Sequence, residues 1–218
     1  MIDFVLARKK MVENQLRTSG ITDRRLLAAM AQVPREQFVP EAWRDLAYID
    51  EALPLTSSGT PRHLPAPAPF GRLVQLASVA TDDRVLDVGC GTGYSTAVLA
   101  SLAARVVALE SDPDLAAAAR SNLAAFDNVT VMEGALDAGV QSEAPFDVIL
   151  LEGAVDSVPK GLLDQLADGG RLVVLVRQGA AAAAHLFVRS GRDVAGRVEF
   201  NTNLPALPAG NRPAEFVF

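Results

Sequence analysis

From residue 84 onward, short apolar runs alternate with stretches whose apolar positions recur at helical spacing. The runs predict strands at 84–88, 105–109, 129–132, 146–151 and 171–176, and the periodic stretches predict helices at 95–102, 114–125 and 159–167. Strands that are apolar throughout and separated by helices imply a parallel sheet covered on both faces. Beyond them, His185 to Arg189 and Val194 to Phe200 flank Ser190-Gly191-Arg192 and read as a hairpin. Phe216-Val217-Phe218 has the composition of a further strand, and the alanine run 180–184 fits either a helix or a loop.

The first 53 residues read as a helical extension. Residues 4–19 carry Phe4, Val5, Met11, Val12 and Leu16 at roughly helical spacing, with Gly20 as the stop and Arg8, Lys9 and Lys10 on the solvated side. Thr22 or Asp23 caps a second helix at 24–31, which ends before Val33-Pro34. Residues 38–40 form an extended anchor and 41–47 about two helical turns, with Trp43 as a packing residue. Between 48 and 70 the prolines, among them Pro54, Pro61, Pro65, Pro67 and Pro69, exclude a regular helix or a central strand. We read 54–70 as a substrate loop, a lid or rim over the cleft, followed by a helix at 71–80, so the chain is one domain: extension 1–53, proline-rich substrate loop 54–70 and α/β core 71–218.

Composition narrows the function classes. The 218 residues suffice for one well-buried core, half of them are hydrophobic, and mean hydropathy is +0.20 with no apolar segment long enough to span a bilayer. A net charge of −6 and a pI near 5.0 argue against nucleic acid as a partner. One cysteine, Cys90, excludes an internal disulfide and, with no export signal in the first residues, points to the cytoplasm. Two distant histidines and one cysteine are too few for a zinc site, and nothing in the sequence fixes an oligomeric state.

The chemistry concentrates where the strand 84–88 runs into Gly89-Cys90-Gly91-Thr92-Gly93-Tyr94. A strand, a glycine turn and a helix outline a nucleotide site, because glycine lets a ligand approach the backbone and the opening helix presents free N–H groups. The third glycine of a dinucleotide fingerprint is missing in either register, since Tyr94 or Thr96 stands in its place. What remains is GxGxG with an acid, Asp87, two residues ahead, and a second acid, Glu110, closing the next strand, where a carboxylate can accept both hydroxyls of a ribose. That pairing resembles the S-adenosylmethionine site of class I methyltransferases. Asp87, Glu110, the Glu133-Gly134-Ala135 turn and Glu152 all fall at carboxyl ends of strands, so four positions converge on one cleft.

Several stretches together resemble one family, the protein-L-isoaspartate O-methyltransferases. They are Met11 to Arg17, Gly20 to Asp23, Val33 to Pro40, Ala47-Tyr48 through Leu53-Pro54-Leu55, the glycine turn with Val106 to Glu110, and Phe146-Asp147 through Val173. The resemblance covers about residues 11–176 and implies a class I methyltransferase sheet, mostly parallel with a C-terminal antiparallel hairpin. It also implies S-adenosylmethionine as cofactor, held by Asp87, Gly89, Cys90, Gly91, Gly93, Tyr94, Glu110, Ser111, Gly134, Ala135 and Glu152. The implied acceptor is the α-carboxylate of isoaspartyl residues in damaged proteins or peptides.

Three departures from the family pattern stand out. The Thr-Ile-Ser-Gln-Pro element is replaced by a loop in which Thr60, Arg62 and His63 are the candidates for gripping an anion. Ala135 stands where the family has an acid near the adenine, with Asp137 the nearest substitute, and Leu151-Glu152-Gly153-Ala154 replaces a Thr-Ala-Ala-like run. Glu152 therefore has three readings: it helps bind a cationic cofactor, it repels an anionic acceptor, or it is a solvent-facing acid at a strand end. His63 likewise reads as a surface residue or a substrate contact. The alternatives to isoaspartate methylation are a methyltransferase for another acceptor and a non-catalytic binding module.

Overall fold

A computed structural model describes residues 2–56, 59–179 and 181–210. The N-terminal extension consists of α1 (Phe4–Met11), a π-helical continuation (Val12–Leu16), α2 (Arg24–Gln32) and two short 3-10 turns. A two-residue hairpin, β1 (Leu53–Pro54) with β2 (His63–Leu64), closes the proline-rich loop. The core follows as α3 (Pro67–Ala77), β3 (Arg84–Val88), α4 (Tyr94–Ala100), β4 (Arg105–Glu110), α5 (Pro113–Asn122), β5 (Val129–Glu133), β6 (Phe146–Val155), α6 (Lys160–Leu163), β7 (Leu166–Gln178), β8 (Ala181–Ser190) and β9 (Asp193–Asn201).

The seven core strands form one sheet in the order β5-β4-β3-β6-β7-β8-β9, parallel from β5 to β7 and antiparallel thereafter. The chain runs outward from β3 to β5, then returns to lay β6 on the other side of β3. The carboxyl end of β3 is thus the point where strand order reverses, and the glycine turn sits there. Successive side chains of a strand face opposite sides, which divides the core in two. Val85, Val106, Ala108, Val148, Leu150 and Val173 pack under the N-terminal helices with α3 and α4, while Leu86, Val88, Val107, Leu109, Ile149 and Leu172 pack against Leu136, Leu162 and Leu207.

Several boundaries differ from the sequence expectation, each for a physical reason. Helix α3 begins at Pro67, not at residue 71, because Pro67 and Pro69 occupy its first turn, where no N–H is required; it ends at the left-handed Ser78. The alanines 181–184 are neither helix nor loop: they are strand, paired with Leu175 to Gln178 of β7, so sheet pairing overrides alanine's helical preference. Helix α6 is a single turn, since β7 starts at Leu166 and absorbs Asp168-Gly169-Gly170 as a bulge between the Phe146–Leu166 and Val148–Arg171 pairs. Val5 and Trp43 are not packed inside but are 75% and 37% exposed, and Arg8 is half-buried, hydrogen bonded to Tyr48 and Glu36. The expected strand at 216–218 lies outside the described residues.

One fully buried cation joins the extension to the loop. Arg35 donates to the carbonyls of Ala47 (2.7 Å) and Pro65 (2.5 Å), and its guanidinium lies 4.8 Å from the centre of the Tyr94 ring. Truncating it strands two buried carbonyls. Arg35→Ala is expected to lower stability by about 2–5 kcal/mol in urea unfolding, and a change under about 1 kcal/mol would show that the joint is dispensable.

Candidate functional site

Gly89, Gly91 and Gly93 have φ of 81°, 57° and 99°, the left-handed backbone that the sequence pattern requires of them. The turn is strapped to β4 by Gly89 N–H and Cys90 N–H, both donating to the Leu109 carbonyl (2.8 and 3.2 Å). Glu110, fully buried, then folds back under it. One carboxylate oxygen accepts from Gly91 N–H (2.8 Å), and the other from Ser111 N–H (2.7 Å) and Asp112 N–H (3.0 Å).

Asp87 is also fully buried. Its Oδ2 accepts from the hydroxyls of Ser95 (2.7 Å) and Thr96 (2.6 Å), pinning the first turn of α4 to β3. Its Oδ1 and Glu152 Oε1 are buried without a hydrogen-bond partner, and the two acids lie close enough for each to act on the other's ionisation. Glu152 is only 7% exposed, which overturns the solvent-facing reading. It reaches inward because β6 bulges: four steps along β6, from Leu150 to Ala154, match two along β7, from Val173 to Leu175. The gap at Gly153 admits the segment after β9, where Ala154 N–H donates to Pro205 O (3.0 Å) and Leu207 N–H to Ala154 O (2.8 Å).

Burial pushes the Asp87 carboxyl up to about 6 against the pull of the Thr96 and Ser95 hydroxyls, and pushes Glu152 well above the carboxylate range, with the Asp87 charge adding to the effect. Arg62 and Arg35 oppose the rise at Glu152. Burial also raises the Cys90 thiol, which leaves a poor nucleophile.

The candidates named from the sequence divide into distinct places. Tyr94 turns away from the cleft, its ring packed against Phe38 and Phe70 in the core. Gly134 N–H bonds to Glu110 O (3.0 Å), and Ser111, Ala135 and Asp137 are exposed beside it. Thr60 and His63 line a cleft of about 390 Å³ with Pro205, Leu207, Asp156 and Arg177, the last two paired at 2.6 Å. Partial burial and the neighbouring Arg62 charge lower the His63 pKa. Arg62 is the exception among the loop residues: it turns inward, pairs with Glu110 and donates to Gly89 O at 2.9 Å. Leu207, Asp156 and Arg177 were not singled out by the sequence, because only the bulge in β6 brings them here.

The sequence profile described as protein-L-isoaspartate(D-aspartate) O-methyltransferase matches residues 7–204. The chain belongs to that family. Members to which it is similar include the protein-L-isoaspartate O-methyltransferase of Koribacter versatilis, 41% identical over 90% of this chain and 86% of that one. The enzyme of Methanoregula boonei is 44% identical over 78% and 77%. A solved protein-L-isoaspartate O-methyltransferase superposes with a TM-score of 0.83 at 25% identity, covering 93% of this chain and 66% of that longer one. A putative family member from Plasmodium falciparum, solved in complex with S-adenosyl-L-homocysteine, shares the fold with a TM-score of 0.76 at 23% identity, over 94% and 99% of the two chains. Among the described residues, no helix is long and apolar enough to cross a membrane.

In this family member the buried acid pair makes stability depend on pH in a direction opposite to that of surface carboxylates. Because the folded chain holds its protons to higher pH than the unfolded chain, stability falls as pH rises, for Asp87 between about 3.8 and 6 and for Glu152 from about 4.5 upward. The slope is at most roughly 1.4 kcal/mol per pH unit for each proton. Glu152→Gln keeps the size of the side chain with no proton to lose. Its melting temperature should exceed that of the native chain by a margin that widens from pH 5 to pH 8; a constant margin would mean that Glu152 is ionised throughout.

Proposed function

We propose that this chain transfers a methyl group from S-adenosylmethionine to the α-carboxylate of isoaspartyl residues in proteins or peptides. Family membership over nearly the whole chain supports both the cofactor and the reaction. The observation that carries the reading within the fold is the glycine turn at the switch point with the buried Glu110 carboxylate behind it.

The residues fit the cofactor's chemistry. Glu110 would accept the ribose hydroxyls, with Gly134, Ala135 and Ser111 flanking the adenine side and Asp87, Gly89, Gly91, Gly93 and Cys90 flanking the methionine side. Glu152 is the acid nearest Asp87 and would face a cationic group there. When bound, the cofactor supplies a sulfonium methyl: its S–C bond breaks as an acceptor oxygen forms the new O–C bond, and the sulfur leaves as a neutral thioether.

The acceptor carboxylate is ionised at neutral pH, so no general base is required. What remains for the protein is to hold the reactants in line, which effective-molarity arguments credit with roughly 7–11 kcal/mol. The cleft between Thr60 and His63 on one side and Pro205 and Leu207 on the other is our candidate acceptor site, and the three segments 1–53, 54–70 and 71–218 act as one domain around it. The Arg177 cation in that cleft, not foreseen from the sequence, is already paired with Asp156. With Arg62 turned inward and the Thr-Ile-Ser element absent, a second reading stands: the same reaction on a different acceptor.

Incubation with labelled S-adenosylmethionine and an isoaspartyl hexapeptide should yield a base-labile methyl ester, and the aspartyl isomer none. Transfer to neither peptide, with calorimetric binding of S-adenosylhomocysteine intact, would remove this acceptor and leave the second reading.

A further inference from the structure

Arg62, in the proline-rich loop, is only 4% exposed. Its Nη1 pairs with Glu110 Oε1, the oxygen that also accepts from Ser111 N–H and Asp112 N–H, and its Nη2 donates to Gly89 O at 2.9 Å. The guanidinium therefore holds both partners a ribose would need at this corner: the carboxylate and the backbone of the first glycine. Two apolar side chains complete the closure. A Cβ on Gly89 would meet Leu207 Cδ1 at 2.5 Å, and one on Gly91 would meet Leu55 Cδ1 at 2.6 Å.

Leu55 and Arg62 are mechanically linked. Leu55 N–H donates to Arg62 O (2.8 Å), and Arg62 N–H donates to Thr56 Oγ1 (3.1 Å), so an outward displacement of Arg62 carries Leu55 away from Gly91 as well. Charge explains why the closed arrangement holds together. Even with its three backbone N–H donors, Glu110 without a counter-charge would be a buried anion beside two further acids, Asp87 and Glu152; with Arg62 it is a paired ion.

We propose that Arg62 is an internal competitor for the nucleoside: it holds Glu110 and Gly89 in a closed form, and cofactor binds only as the guanidinium withdraws, taking Leu55 with it. This rests on the cofactor reading above. Since Thr60 and His63 flank Arg62 and line the acceptor cleft, the same withdrawal reshapes that cleft, and cofactor precedes acceptor. The observed affinity is the intrinsic affinity diluted by the fraction of open protein, so removing the competitor raises it.

The probe is S-adenosylhomocysteine, titrated calorimetrically into the native chain, Arg62→Met and Arg62→Lys. Arg62→Met should bind at least tenfold more tightly than the native chain, with Arg62→Lys between them. On the native chain alone, trypsin should cut the Arg62–His63 bond slowly without the probe and faster with it, an arm that stands even where Arg62→Met does not fold. Equal or weaker binding by Arg62→Met, or nicking that the probe does not accelerate, overturns the proposal while the cofactor reading survives. Absence of binding to both native chain and Arg62→Met at millimolar probe would sink the two together.

Discussion

Three carboxylates, Asp87, Glu110 and Glu152, stand at the carboxyl ends of three neighbouring parallel strands, all withdrawn from water. Like charges confined in this way repel, and each has a high desolvation penalty, so the structure around them is arranged to divide the load. Glu110 is held by backbone N–H groups and by Arg62; Asp87 is held by two hydroxyls; burial and the Asp87 charge push the Glu152 carboxyl upward, toward its neutral form. The N–H groups of the glycine turn and the inward guanidinium each answer that electrostatic constraint, to which the bulge in β6 adds the third carboxylate. A methyl donor that is itself a cation belongs in such a place for the same reason.

The architecture was largely legible because its determinants are local. Apolar runs such as Val106-Val107-Ala108-Leu109 leave little choice but a strand buried on both faces, and Asp112-Pro113 opens α5 as its residue types require. Where local preference competes with pairing, the reading failed: the alanines of β8 are extended because β7 and β9 offer them hydrogen bonds on both sides. Pro67 and Pro69 have the composition of helix breakers, yet their position in the first turn of α3 makes them starters.

The site was legible in its identities and not in its geometry. Asp87, the three glycines and Glu110 are adjacent to strand ends and so announced themselves. Arg62 and Glu110 are 48 residues apart in sequence, and Leu207 and Gly89 more than a hundred; no periodicity reports such meetings. Glu152 was flagged by its departure from the family pattern, yet its inward aim depends on a register slip between β6 and β7 that no residue type signals. Thr60, Arg62 and His63 stand together in the loop's sequence, but the fold turns Arg62 inward and leaves the other two on the cleft.

The parallel bridge between Ala154 and Ala206 fixes when this pocket can exist during synthesis. Among the described residues every strand of the sheet precedes residue 202 in the chain, whereas Leu207, which packs over Gly89, follows it. In order of synthesis, the last strand is therefore made a few residues ahead of the roof, and the cover over the glycine turn is the part added after the sheet.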